Sequence, residues 1–196
     1  MAESDEPSEF DKSFVSSVGS SKSLGIIDED VLGVLSRLPI KFKEQLAALG
    51  VRIICCRTLA DAYGEFCDPT LLGAKEDQEA MFSVVTKTLY VANNPHIEEM
   101  EKTPVFNAYL ELMRGYAVLT GIDKMVSLTN ATLSDNLLMT NLPEDPIRRF
   151  ALCAAKYLCE GWATPEEIRR AELKYPETMR FAKQQLEAYI EQSRME

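Results

Sequence analysis

TPVFNAYLELMRGYAVLTG, residues 103–121, is the stretch from which the fold is read. Thr103 suits a helix cap, Pro104 the first turn and Gly121 the far end. Between them Val105, Tyr109, Leu112, Met113, Tyr116 and Ala117 recur at helical spacing as one apolar stripe. That spacing predicts a long helix facing the core. Asn107 and Glu111 lie four apart on a neighbouring face, where exposure to solvent accounts for them.

The pattern changes on the N-terminal side. PIKFKEQLAALG, residues 39–50, predicts a helix with Pro39 at its start and Gly50 just past its end. VRIICC follows at once as a buried, β-branched strand. TLADAYGEF reads as one or two helical turns, and a polar stretch punctuated by Pro69 and Gly73 leads to about Glu79. FSVVTKTLYVAN predicts two short strands, or one bent strand, turning near Thr86-Lys87. DEDVLGVLSRL, before Pro39, has helical spacing of its own.

Beyond residue 121 the chain is helical throughout: roughly 122–139, then 146–160 stopped by Gly161. TPEEIRRAELKY opens with a Thr164–Glu167 capping box, and Pro176 starts the last helix. The expected fold class is therefore α+β, a small β-sheet packed on a mostly helical C-terminal half. Residues 26–196 are expected to form one domain. Residues 1–25 hold eight serines and five acids with scattered apolar residues, the composition of a disordered acidic tail.

Composition excludes several function classes. A net charge of −10 disfavours nucleic acid, whose phosphates need clustered Lys and Arg. No run of about 18 apolar residues predicts a membrane span. MAESDEPSEF is acidic and has no apolar signal core, which predicts cytoplasmic synthesis, with specialised secretion through the tail as the alternative. The five cysteines (Cys55, Cys56, Cys67, Cys153 and Cys159) are odd in number, lack C-x-x-C spacing and mostly sit in apolar segments. Reduced thiols are the expectation.

Catalytic constellations are scarce. His96 is the single histidine, and HIEEM offers it only Glu98 and Glu99, short of a catalytic zinc site. Any Ser–His or Cys–His scheme would have to use it. No phosphate-binding or nucleophile-elbow motif occurs. Cys67, in GEFCDP, lies in a polar loop whose acidic neighbours work against a reactive thiolate. No cofactor or metal is expected.

RRFALCAAKYL and EEIRRAELKYPETMRFAKQQLEAYI resemble the end of the anthrax lethal factor-like (zincin-like) metallopeptidase domain. There a K-x-x-P-x-T-x-x-F element opens the last helix; here the element reads Leu173-Lys174-Tyr175-Pro176-Glu177-Thr178-Met179-Arg180-Phe181, with Leu173 in the lysine's place. LPIKFKEQLAALGVRIICCRTLADAY is similar to the family's opening helix, strand and TL-x-D segment, and VTKTLYVAN to the hairpin before its active-site helix. The resemblance covers about residues 30–190.

It implies that Asn107 stands where the family has the first zinc histidine, Ala108 at the general-base glutamate, Glu111 at the second histidine and Arg149 near the ligand glutamate. Metal-assisted hydrolysis needs both the metal and the base, so a pseudoenzyme is expected. The vacated space would suit a Glu111–Arg149 salt bridge with Asn107 alongside. Three readings of function follow. One is a catalytically inactive domain that binds a protein partner, by strand addition between the 80–92 hairpin and the 104–120 helix. A second is a secreted effector delivered through its Ser-rich tail. The third is a plain interaction domain unrelated to peptidases.

Overall fold

A computed structural model describes residues 15–17, 38–75, 78–92, 103–129, 146–158 and 165–193. In chain order the elements are β1 (Val15–Ser17), α1 (Ile40–Ala48), β2 (Arg52–Cys56), α2 (Leu59–Phe66), a 3-10 turn (Pro69–Gly73), β3 (Ala80–Ser83) and β4 (Thr88–Ala92). Helices α3 (Thr103–Thr120), α4 (Ile122–Thr129), α5 (Pro146–Leu158), α6 (Pro165–Lys174) and α7 (Pro176–Ser193) complete the chain. The class is α+β, as the periodicities predict.

Local chemistry sets the element ends. After α1, Gly50 takes a positive φ of 76°. Its N–H donates to the Ala47 carbonyl (2.9 Å), and the Val51 N–H to the Leu46 carbonyl (3.0 Å). The paired bonds satisfy two last-turn carbonyls in a geometry that glycine adopts without a Cβ penalty. The chain then enters β2 directly. Thr58 caps α2, its hydroxyl accepting from the Asp61 N–H at 3.1 Å, so the TLAD segment is a helix start.

The sheet has the order β1-β2-β4-β3. β1 and β4 both run parallel to β2, whereas β3 is antiparallel to β4 and forms one edge. FSVVTKTLYVAN is thus two strands joined by a turn, with Lys87 at a φ of 53°. Every residue of β4 is buried because both faces of the sheet are covered.

One face meets the main core. Ile53 and Cys55 of β2, Phe82 of β3 and Leu89 and Val91 of β4 pack there against α1, α3, α5 and α7. Phe42 of α1 stands edge-on to Tyr116 of α3 and Tyr189 of α7, whose hydroxyls bond at 3.0 Å. Phe150 and Phe181 join α5 to α7, with ring centroids 5.9 Å apart. The segment from Leu173 to Phe181 is therefore a packing device: Tyr175 and Thr178 are buried and Phe181 abuts α5. The opposite face carries a thinner layer, in which Ile54, Cys56 and Tyr90 pack against Leu59, Ala62 and Leu71.

One expectation changes here. Val15–Ser17 belongs to the segment read as a disordered tail, yet it pairs with β2 and Val15 packs on the main core. Composition is blind to such a strand because its partner lies more than thirty residues away. The α3 stripe is buried at Tyr109, Leu112, Met113, Tyr116 and Ala117, joined by Ala108. Several sequence features lie outside the described residues: the DEDVLGVLSRL helix ahead of Leu38, His96, Cys159, the Gly161 stop and the Thr164–Glu167 capping box.

Candidate functional site

Helix α3 follows β4 in the chain and lies against the edge strand β3. Three of its residues at helical spacing, Asn107, Glu111 and Gly115, make the junction. The Asn107 amide donates to the Glu79 carboxylate at the start of β3. Glu111 Oε2 accepts the N–H of Phe82 at 3.2 Å, and Oε1 accepts from Arg114 Nη1 at 2.9 Å. One turn later Gly115 sits directly on the Phe82 ring.

The pairing of the strands explains why Phe82 has an N–H to give. Met81 and Ser83 flank it, and the Glu79 carbonyl already accepts the Ala92 N–H at 2.7 Å. Antiparallel ladders alternate, so the N–H of Phe82 points away from β4. An edge N–H without an acceptor is costly in a partly buried place, and the Glu111 carboxylate meets it. The Ala80 carbonyl accepts from Gln78 Nε2 at 3.0 Å. The β3 edge is thereby engaged by side chains of its own chain.

The residues matched to metal-site positions are all described. Asn107 and Glu111 are half-buried and bonded to β3, where solvent exposure was expected. Ala108 is buried among the core side chains. Arg149, on α5, is 4% exposed. Helices α3 and α5 pack side by side, but Glu111 does not reach Arg149: its carboxylate is taken by Arg114 and the Phe82 N–H. The reason lies in the stripe. Residue 111 shares its face with 107 and 115, and that face looks at β3. Among the described residues, no group of three or more His, Cys, Asp and Glu side chains is arranged to hold a metal ion.

A second polar cluster went unread in the sequence. Asp68, 1% exposed, closes the thin side of the sheet. Its Oδ1 accepts the Thr70 N–H at 3.0 Å, and its Oδ2 accepts the Thr86 hydroxyl at 2.7 Å and the Tyr90 hydroxyl at 3.1 Å. The Thr70 and Ser83 hydroxyls bond at 2.9 Å beside it. Burial alone pushes this carboxyl up, but the donors, Thr86 and the Thr70 N–H foremost, outweigh it and hold it down at about 2. Burial, with the carboxylate adjacent, pushes the Tyr90 phenol up. With its lone pairs occupied, Asp68 clasps the β3–β4 turn to the 3-10 turn. The signal in the sequence was Asp68-Pro69, an aspartate placed to cap a turn.

The thiols divide by environment. Cys55, Cys56 and Cys153 are buried, and burial, aided by Asp61, pushes Cys56 up to about 12. Cys67 is exposed and ends α2 in a left-handed conformation, φ 50°. Among the described residues no helix is long and apolar enough to cross a membrane.

Comparison of the sequence with protein-family models and with curated proteins finds no match.

Proposed function

We propose that this chain is a catalytically inactive metallopeptidase-like domain, zincin-like in fold, that acts by binding another protein. One observation carries the reading. The three α3 positions that a zinc peptidase would use for metal and base are engaged internally: Asn107 with Glu79, Ala108 in the core, Glu111 with Phe82 and Arg114. Asn107 and Glu111, bonded in this way, hold the helix to the strand.

The order of elements supports the same reading. A helix and a parallel strand are followed by an antiparallel edge strand, its neighbour, and then the helix that carries the site positions, with α5 packed alongside. An acidic surface, net charge −10, suits contact with protein and disfavours nucleic acid.

The test is metal content of the purified protein by mass spectrometry after mild dialysis, followed by calorimetric titration with zinc. The expected result is no stoichiometric metal and no saturable binding. Zinc held tightly at one equivalent would overturn the proposal, because α3 would then have to hold a ligand set that Asn107, Ala108 and Glu111 do not provide.

A further inference from the structure

Single exposed apolar side chains are ordinary on a protein surface, but a cluster of them marks a contact site. Among the described residues eight large apolar side chains stand exposed. Five of them lie on the thin layer or on the turn clasped to it: Tyr63 and Phe66 of α2, Leu72 of the 3-10 turn, and Val84 and Val85 between β3 and β4. One carboxylate ties these pieces together. Asp68 stands between Phe66 and Leu72 in the chain, and its Oδ2 accepts from Thr86, next to Val85, and from Tyr90. The Tyr90 ring centroid is in turn 6.0 Å from that of Phe66. We propose that this patch, centred on the Val84-Val85 tip, is the docking surface for a partner protein. The segment it takes is apolar, with carboxylates at the end that meets Arg52 and Lys87. This rests on the protein-binding reading above and gives it a location and a chemistry.

The tip is built against local preference. Turns favour Gly, Asn, Asp and Ser, yet this one turns two valines outward, Val85 at 76% exposure. It also sets Lys87 at a φ of 53°, where glycine or asparagine sits more easily. The turn is nonetheless firmly held. The Thr86 N–H donates to Ser83 Oγ at 3.3 Å and the Thr86 hydroxyl to Asp68 at 2.7 Å. The Thr86 carbonyl accepts the Thr88 hydroxyl at 3.1 Å, and the Lys87 carbonyl accepts the Arg52 N–H at 3.0 Å. A turn fixed in this way loses little freedom when its valines are covered, which is how a preorganised surface gains affinity. Local rules broken within a well-held segment point to function.

Charge selects the partner. Arg52 and Lys87 are exposed beside the turn, and among the described residues neither pairs with a carboxylate. Asp68, the acid beneath them, is buried and multiply hydrogen-bonded. Helix α2 carries exposed Asp61 and Glu65, but it starts just past Cys56, the end of β2 opposite Arg52, so Asp61 lies away from the cations. The hairpin end is thus locally cationic in a chain of net charge −10. A second copy seated tip to tip would bring like charges together, and the net charge repels an anionic membrane. Carboxylates on a protein partner complement it.

The test pans a displayed library of random peptides on the full-length protein, then follows an enriched peptide, fluorescently labelled, by anisotropy. Enriched peptides are expected to carry apolar residues beside Asp or Glu. Val84→Ser combined with Val85→Ser should weaken binding about tenfold, and so should Arg52→Glu combined with Lys87→Glu. Replacing the acids of the peptide by lysine should restore binding to the charge-reversed variant. Serine is the better turn former, so the serine variant should unfold at a urea midpoint no lower than the parent's. Enrichment of no peptide, or of peptides without carboxylates, would overturn the proposal. So would affinity that survives the serine substitutions, or a serine variant clearly less stable than the parent, whose valines would then serve folding. Self-association abolished by the same substitutions, or binding to phosphatidylserine vesicles, would assign the patch to a second copy or a membrane and overturn it as well. None of these outcomes bears on the zinc titration, so the loss of this inference is distinguishable from the loss of the inactive-peptidase reading.

Discussion

Substituting Gly115 by alanine tests the junction on which the site depends. A Cβ built at Gly115 lies 2.4 Å from both Cγ and Cδ1 of Phe82 and 2.5 Å from Cδ2. These atoms are near the root of the ring, so no flexible tip can swing aside. The ring is in the main core and the strand beneath it is held by the Glu111 bond to the Phe82 N–H. Either helix or ring must shift by about an ångström, and forced overpacking of this kind costs about 1–3 kcal/mol. Replacing a mid-helix glycine by alanine returns about 0.8–1 kcal/mol of helix propensity. A clash with three ring atoms falls in the upper part of that range, about 2–3 kcal/mol, so the net expectation is a loss of about 1–2 kcal/mol, or roughly 2–8 °C in Tm for a chain of this size.

Urea unfolding followed by circular dichroism reads this as a lower midpoint at unchanged slope. A double-mutant cycle with Phe82→Ala sharpens the result. With the ring removed the methyl has room, so Gly115→Ala should become neutral or stabilising by up to about 1 kcal/mol. A single Gly115→Ala variant as stable as the parent would refute the close approach of α3 to β3. So would a substitution equally harmful with and without the ring.

Two further outcomes follow from the polar contacts. Asp68→Asn should lower stability near neutral pH by about 1.5–3 kcal/mol, because it removes a buried, multiply hydrogen-bonded charge. The Asp68 carboxyl is held at about 2 when folded, below its unfolded value of roughly 4, so its contribution is complete above pH 4 and is lost as pH falls towards 2. The gap between parent and variant should therefore narrow across that window in urea midpoints; a gap independent of pH would refute the clasp. Glu111→Ala should cost about 1–2 kcal/mol and speed hydrogen exchange at the Phe82 amide, whereas Glu111→Gln, which keeps an acceptor, should cost less. Unchanged protection of that amide in Glu111→Ala would show that the bond does not hold the edge.

These tests fall on contacts with very different legibility. Pro39 and Gly50 announce both ends of α1, and the Thr58 cap is visible as TLAD. β2 and the β3–β4 hairpin are readable as β-branched runs, and the α3 stripe as a helical repeat. Their four-residue spacing puts Asn107 and Glu111 on one face, but it does not reveal their role. A carboxylate four residues from an amide reads as a solvated face whether or not an edge strand lies opposite. Arg149 shows the same limit: its position on α5 follows from the periodicity, but its burial depends on the helices packed around it.

What the sequence by itself determined is what acts within a turn or a strand: caps, φ-positive glycines, the periods of 3.6 and 2, and hence an α+β chain with a helical second half. These signals depend on residues within about four positions of one another. The tertiary structure decided everything that pairs distant segments. It drew Val15–Ser17 out of a serine-rich stretch to lie on β2, turned Glu111 to Phe82 and Arg114 in place of Arg149, and folded Asp68 under Thr86 and Tyr90. A buried N–H or carboxylate takes whichever partner the packed backbone brings within about 3 Å, and chain spacing carries no record of that choice.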